Sequence, residues 1–189
     1  MTSSRHPQKI TFDDSAIDAC FDYLKNRSDT NLERLITLPG SKIAYKHHVW
    51  SSMDSTSTIK QFWKKTLQST PWNTDLQTAI NNVKEHLTTR RRSEWLNPVL
   101  NYLPEGHVFK TTVYLIVNYD NIVYGEDVAL NLNYSQFHTD HREVIYYLIH
   151  ELAHAGYFRY RQMPQLAKMK TVKDLSDTIK LLTHLEGMG

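Results

Sequence analysis

Apolar residues recur at helical spacing through most of the first hundred positions of the chain. The segment 13–27 has an apolar residue at about every third or fourth position, which predicts a first helix. Further helices are predicted in three segments, 31–40, 55–70 and 74–104. The dipeptide Pro39-Gly40 is expected to end the second helix, and Pro98 and Pro104 are expected to break the last segment. The first half of the chain is therefore predicted to be mainly helical.

The pattern changes to that of strands in the second half. The segment 108–119, VFKTTVYLIVNY, is rich in β-branched and aromatic residues and lacks helical periodicity. It is therefore predicted to be a largely buried strand. A turn is expected near Asp120, and EDVALNL at 126–132 is predicted to be a second strand.

A helix is predicted after these strands on two independent signals. Asp140 and Glu143 form a D-x-x-E pattern, which is typical of a capping box at a helix start. Apolar residues then follow at i, i+3, i+4 and i+7, namely Ile145, Leu148, Ile149 and Leu152. The sequence HELAH, residues 150–154, therefore lies on an amphipathic helix that is predicted without reference to the motif itself.

HELAH has the spacing of a zinc-binding motif. His150 and His154 are four residues apart, so a helix places both imidazoles on one face, where they can bind a single ion. Glu151 adjoins the first histidine, and its carboxylate can act as general base toward a zinc-bound water that attacks a carbonyl. The pattern predicts Zn²⁺ as cofactor and Glu151 as the catalytic residue. The alternative interpretation is an ordinary helix on which these side chains form a local polar pair.

A catalytic zinc usually takes three protein ligands, so a third is expected downstream. The pattern H-E-x-x-H-x-x-G-x-x-H is not met, because Tyr157 and Tyr160 occupy its last two defined positions. Four later residues qualify by type, Asp174, Asp177, His184 and Glu186. We favour Glu186, which adjoins Gly187, where the missing side chain allows a second helix to approach closely. His184 is the competitor, and the two aspartates are explained by the helix dipole at the start of the last predicted helix. That helix is predicted at 171–189, where the apolar residues share one face, namely Val172, Leu175, Ile179 and Leu182.

Three segments together resemble the gluzincin-type zinc metallopeptidases. They are VYLIVNYDNIVYGEDVALNL, REVIYYLIHELAHAGY and LLTHLEGMG, with H-E-x-x-H and a later E-G-x-[AG]. More narrowly, they are similar to uncharacterised bacterial and archaeal families of zinc-dependent proteases. The resemblance covers about 108–189 and implies His150, His154 and Glu186 as metal ligands, with Glu151 as general base. It also implies an edge strand that binds the substrate, for which EDVALNLNY is the candidate. The alternative for this segment is an ordinary core strand.

The resemblance departs from the gluzincin pattern at the end of the sequence. In that pattern the helix of the third ligand continues, and a residue one turn later supports a zinc-bound histidine. The corresponding position here would be 190, which follows the last residue given. The supporting contact is therefore expected either to be missing or to come from elsewhere. A C-terminally truncated catalytic domain, as part of a longer protein, is a further expectation.

Composition argues against several classes of partner. The formal net charge of +2 over 189 residues, without a broad basic face, argues against nucleic acid. No apolar run approaches the roughly 20 residues that span a bilayer, and the N-terminus has no signal-peptide pattern. A cytoplasmic location without a membrane partner is therefore expected. The single cysteine, Cys20, is expected to be buried and inert.

The patterns predict an α+β, zincin-like fold with a mainly helical region at 1–105 and a catalytic core at 106–189. The core is expected to contain a small sheet, the active-site helix and a C-terminal ligand helix. The predicted function is that of a zinc metallopeptidase that hydrolyses peptide bonds in a peptide or protein substrate. Two alternatives remain open, a non-catalytic zinc-binding protein and a zinc hydrolase acting on a non-peptide amide.

Overall fold

A computed structural model of the chain describes residues 9–52, 56–101, 103–104, 108, 110–159 and 169–186. Within these residues, nine helices accompany one four-stranded sheet, so the fold is mixed α+β as predicted. Helices dominate the first hundred positions. None of the helices found in the described ranges is both long and apolar enough to cross a bilayer.

The elements follow one another along the chain with short connections. The helices are α1 (Ser15–Lys25), α2 (Asp29–Thr37), α3 (Pro39–Ser52), α4 (Ile59–Thr66), α5 (Thr74–Thr89), α6 (Arg92–Asn101), α7 (Ser135–Thr139), α8 (Glu143–Phe158) and α9 (Val172–Glu186). The strands are β1 (Lys9–Asp13), β2 (Lys110–Ile116), β3 (Ile122–Tyr124) and β4 (Asp127–Asn131). The HELAH motif thus lies in α8, in the middle of the predicted helix.

The sheet has the strand order β1-β2-β4-β3. β1, β2 and β4 are parallel, and β3 pairs antiparallel with β4. The carboxyl ends of β2 and β4 therefore lie side by side at the same end of the sheet, where the loops that precede β3 and α7 begin. The prediction that EDVALNLNY forms an edge strand is wrong, because β4 is paired on both sides. Among the described strands, β3 is the outermost strand on the β4 side of the sheet.

Both faces of the sheet are covered. Successive side chains of a strand point to opposite faces, and Val128–Asn131 of β4 are all buried. On one face, α3 comes very close to β2. A Cβ atom added to Gly40 would lie 3.1 Å from both the Cγ2 atom of Ile116 and the Cβ atom of Tyr114. The glycine therefore sets how near α3 can lie to the strand.

Strand β1 was not predicted from the sequence. Its five residues, KITFD, pair in parallel register with β2, so that Phe12 lies opposite Val113. Alternation of apolar and polar residues is present, but it extends over a single short and half-exposed strand. The strand brings the start of the chain into the same sheet as the second half.

Two helix boundaries differ from the predictions. The second helix ends at Thr37, just before Pro39 as expected, but Pro39 itself begins α3, because its fixed φ angle suits the first position of a helix. The break between α5 and α6 falls at Arg90 and Arg91, whereas Pro98 lies inside α6. The expected break near Pro98 is therefore wrong.

Helix α9 forms where the apolar spacing predicts it, but its apolar face is open to solvent. Val172, Leu175 and Ile179 are 85%, 51% and 54% exposed. Thr178 is the buried position in the first half of this helix. The spacing therefore predicts the helix and the shared face of its apolar residues, but not the burial of that face.

Candidate metal centre

Helix α8, which contains the HELAH motif, packs against the sheet and against α6. It contacts β3, β4 and α6. Leu148 and Leu152 of the predicted apolar stripe are fully buried. Ile145 and Ile149 are half-buried against the same core. Burial of this stripe fixes the rotation of the helix, and thereby determines the direction in which the motif residues point.

The capping box predicted at the start of α8 does not form. The residue before the helix is Arg142, which makes no side-chain cap. The Asp140 carboxylate instead accepts the backbone N–H of Arg142 at 3.0 Å and pairs with its guanidinium. Hydrogen bonds from Arg142 lower the pKa of Asp140 to about 2. Asp140 therefore stabilises the turn before the helix instead of capping it.

The two histidines of the motif converge. The Nε2 atoms of His150 and His154 lie 2.8 Å apart, and the two rings are perpendicular. His154 is 8% exposed, and its ring stacks on Phe158 one turn later, with 6.1 Å between ring centroids. The spacing predicted that both imidazoles share a face. The structure adds that they turn the same nitrogen atom toward one point.

This donor pair fits a metal cation. Two nitrogens bound to one tetrahedral zinc at about 2.05 Å lie about 3.3 Å apart, so a separation larger by roughly half an ångström accommodates the ion. At 2.8 Å one neutral imidazole can donate an N–H···N hydrogen bond to the other, whereas two imidazolium rings would repel each other. A cation accepts both lone pairs at once.

Glu151 lies next to this pair but is oriented toward the protein interior. Its side chain is 7% exposed. Glu151 lies three residues after the fully buried Leu148, which is slightly less than one helical turn. Its negative charge contributes to a raised pKa of Tyr134, after burial and the Asp120 carboxylate, which have the larger effects. Because Glu151 adjoins His150 and precedes His154 by three residues, the helix keeps its side chain on a neighbouring part of the same surface.

The described part of the chain does not supply the third ligand. Among the described residues, no group of three His, Cys, Asp or Glu side chains is arranged to hold an ion. Helix α9 ends at Glu186, whose side chain, like that of His184, lies outside the described residues. Asp174, in the first turn of α9, accepts the backbone N–H groups of Lys170 and Thr171, and the Thr171 hydroxyl accepts the backbone N–H of Asp174, so the two residues form a capping box. Glu186 stays a prediction.

Comparison with known proteins adds no family to this picture. No protein-family model matches the chain, and no curated protein or solved structure matches it either. The resemblance to gluzincins therefore stays a prediction. Any function has to be argued from the side chains that the structure brings together.

A network of asparagines, which the sequence analysis missed, organises the loops beside α8. The Oδ1 atom of Asn131, at the end of β4, accepts the backbone N–H groups of Asn118 at 2.7 Å and Asn133 at 2.9 Å. Its Nδ2 atom donates to the carbonyl of Tyr119, and its own N–H donates to Asn121. The signal available in the sequence was the recurrence of Asn where two parallel strands end.

The loop held by this network has an unusual backbone. Asn118 and Tyr119 both have positive φ angles, 65° and 78°. Asparagine tolerates this conformation, but tyrosine adopts it at a cost. The hydroxyl of Tyr119 lies 2.9 Å from Nδ1 of His47, and its ring packs edge-on against Phe62. These contacts hold the loop in a shape that it would not adopt alone.

Replacing Asn131 with Ala is expected to lower the free energy of unfolding by about 2–3 kcal/mol, because it leaves two N–H groups and a carbonyl without their partner. The measurement is urea unfolding followed by circular dichroism. Asn82→Ala, on the exposed side of α5, is the control and should change stability by less than about 0.5 kcal/mol. Equal stabilities for the two variants would show that the network does not hold the loop.

Proposed function

We propose that this protein is a zinc-dependent metallopeptidase with a zincin-like catalytic core. The single observation that best supports the proposal is the convergence of the His150 and His154 Nε2 atoms beside the buried Glu151. The helix that supplies these residues is fixed against β3 and β4 by its apolar stripe. In this proposal Glu186, at the end of α9, is the third ligand.

In the proposed site, separate residues would bind the metal and transfer the proton. His150, His154 and Glu186 would hold the ion, and a bound zinc supplies Lewis acidity toward a carbonyl and increases the acidity of water. Glu151 would accept the proton of the attacking water and then deliver it to the leaving amine. The low exposure of Glu151 favours this role, because little bulk water competes for its proton.

The sheet edge near α8 supports a peptide as the substrate. Within the described ranges, β3 pairs with a neighbour on one side, and its backbone can add an extended peptide on the other. α8 contacts β3 directly, so a peptide added there would lie next to the strand that packs against the motif helix. The substrate strand in this proposal is β3, in place of the segment that was predicted from the sequence.

The metal content of the purified protein is the direct test. We expect about one zinc per chain in the wild type and nearly none in His150→Ala, because loss of one imidazole removes a first-sphere ligand. Plasma mass spectrometry after dialysis against zinc-buffered solution measures both. His141→Ala, just before α8, is the matched control and should keep its zinc. A wild-type protein without zinc under these conditions would refute the proposal.

A further inference from the structure

Phe158, the last residue of α8, packs against the second histidine of the motif. Its ring lies nearly parallel to that of His154, with 15° between the two planes and 6.1 Å between the centroids. The two residues are four positions apart, so the helix places them on one face. The separation is within the range of offset aromatic stacking. Phe158 is therefore a direct neighbour of an imidazole that belongs to the candidate metal centre.

The orientation of the His154 ring decides where its Nε2 lone pair points, because that lone pair lies in the ring plane. The helix restricts the first side-chain torsion, but the second torsion of a histidine is broad and has little preference of its own. A parallel neighbour supplies a preference, since rotation about this torsion breaks the stack. The stacked His154 ring stands perpendicular to the His150 ring, and the two Nε2 atoms lie 2.8 Å apart. The stack thus coincides with the orientation in which both nitrogens converge.

The end of α8 that presents Phe158 is tied to the sheet. Arg159, the next residue, donates from Nε and Nη2 to the two carboxylate oxygens of Glu126, at 3.0 and 2.6 Å. Its Nη1 atom donates to the carbonyl of Val108 at 2.6 Å. Helix ends fray readily, and these three hydrogen bonds oppose fraying one residue after Phe158. The phenyl ring therefore has a defined position from which to orient His154.

We propose that Phe158 is a positioning residue of the candidate metal centre, and that its ring holds the His154 imidazole in the orientation that binds the cation. The inference rests on the proposed function, because it takes the cation to be the zinc of that site. Without the ring, His154 spends part of its time in orientations that cannot bind the cation, and the apparent affinity falls with the fraction that remains competent. Losing a group that orients a metal ligand typically costs about 10–100-fold in affinity.

The first test measures the zinc affinity of the full chain by competition with a fluorescent chelator. Phe158→Leu keeps an apolar side chain but removes the flat ring, and it should bind zinc about tenfold more weakly. Phe158→Tyr keeps the ring at a half-buried position and should stay within about twofold of the wild type. Phe12→Leu is the matched control, because it makes the same change at another half-buried phenylalanine, which packs edge-on against Trp95. It should also stay within about twofold.

The second test follows the His154 ring by NMR relaxation in the metal-free protein. Phe158→Leu should make the imidazole more mobile while the backbone N–H of His154 keeps its wild-type order. A ring that stays as rigid as in the wild type, or a backbone that loosens with it, would overturn the inference. So would wild-type zinc affinity in Phe158→Leu, or an equal loss in Phe158→Tyr or Phe12→Leu. A wild-type protein that takes up no zinc would instead overturn the proposed function, and the NMR comparison would still decide whether Phe158 orients His154.

Discussion

Replacing Glu151 with Gln is expected to abolish peptide hydrolysis while zinc stays bound. Glutamine keeps the size of the side chain but cannot accept a proton, so the attacking water loses its base and the leaving amine loses its acid. Each such proton transfer typically contributes about 10²–10⁴-fold, so we expect kcat to fall by at least about 10³-fold. The measurement is cleavage of a mixture of internally quenched peptides, with zinc content determined on the same samples.

The control is Glu143→Gln, which makes the same change two turns earlier on the same helix. It should keep its activity within about twofold, because surface changes of this kind act weakly. Turnover that survives in Glu151→Gln would contradict the assigned mechanism. A wild-type protein that binds zinc but cleaves no peptide would favour the alternatives, a non-catalytic zinc protein or a hydrolase of another amide.

Replacing Glu186 with Ala is expected to weaken zinc binding by more than about a hundredfold. Changing an outer partner of a metal ligand already costs about 10–100-fold, and loss of a ligand itself should exceed that. Competition with a fluorescent zinc chelator measures the affinity directly. Helix α9 extends to Glu186, so this variant tests whether the end of that helix supplies the third ligand.

His184→Ala is the informative companion, since it changes the competing ligand on the same helix turn. Two residues along a helix are about 200° apart, so His184 and Glu186 cannot both face one ion from a straight α9. We expect the His184 variant to keep wild-type affinity. The reverse result, in which His184→Ala loses zinc and Glu186→Ala keeps it, would assign the third ligand to the histidine.

The helices with strong periodicity were predictable because their signals are local. The stripe in α8 and the apolar spacing in α1 arise from residues three and four apart, which meet on one helix face whatever the rest of the chain does. The alternation in β1 is equally local. It covers too few positions to stand out from an irregular segment, and this strand was missed.

The proximity of the three motif residues in the candidate centre was predictable for the same reason. His150, Glu151 and His154 lie within one helical turn, so their proximity follows from the helix itself. The Asn131 network and the position of Tyr134 could not be predicted in this way. They depend on loops that follow separate strands and meet at the same end of the sheet. The sequence does not show which strands are neighbours.

The sequence by itself determined that α8 forms and that its two histidines share a face, because a helix is specified by contacts between near neighbours in the chain. The tertiary structure decided which strand lies at the edge, which loops meet around Asn131 and whether the apolar face of α9 is covered. Those outcomes depend on pairings between distant segments. Thr11, for example, meets Thr112 across 101 positions of the chain. Local patterning can favour such contacts, but it cannot choose among the possible partners.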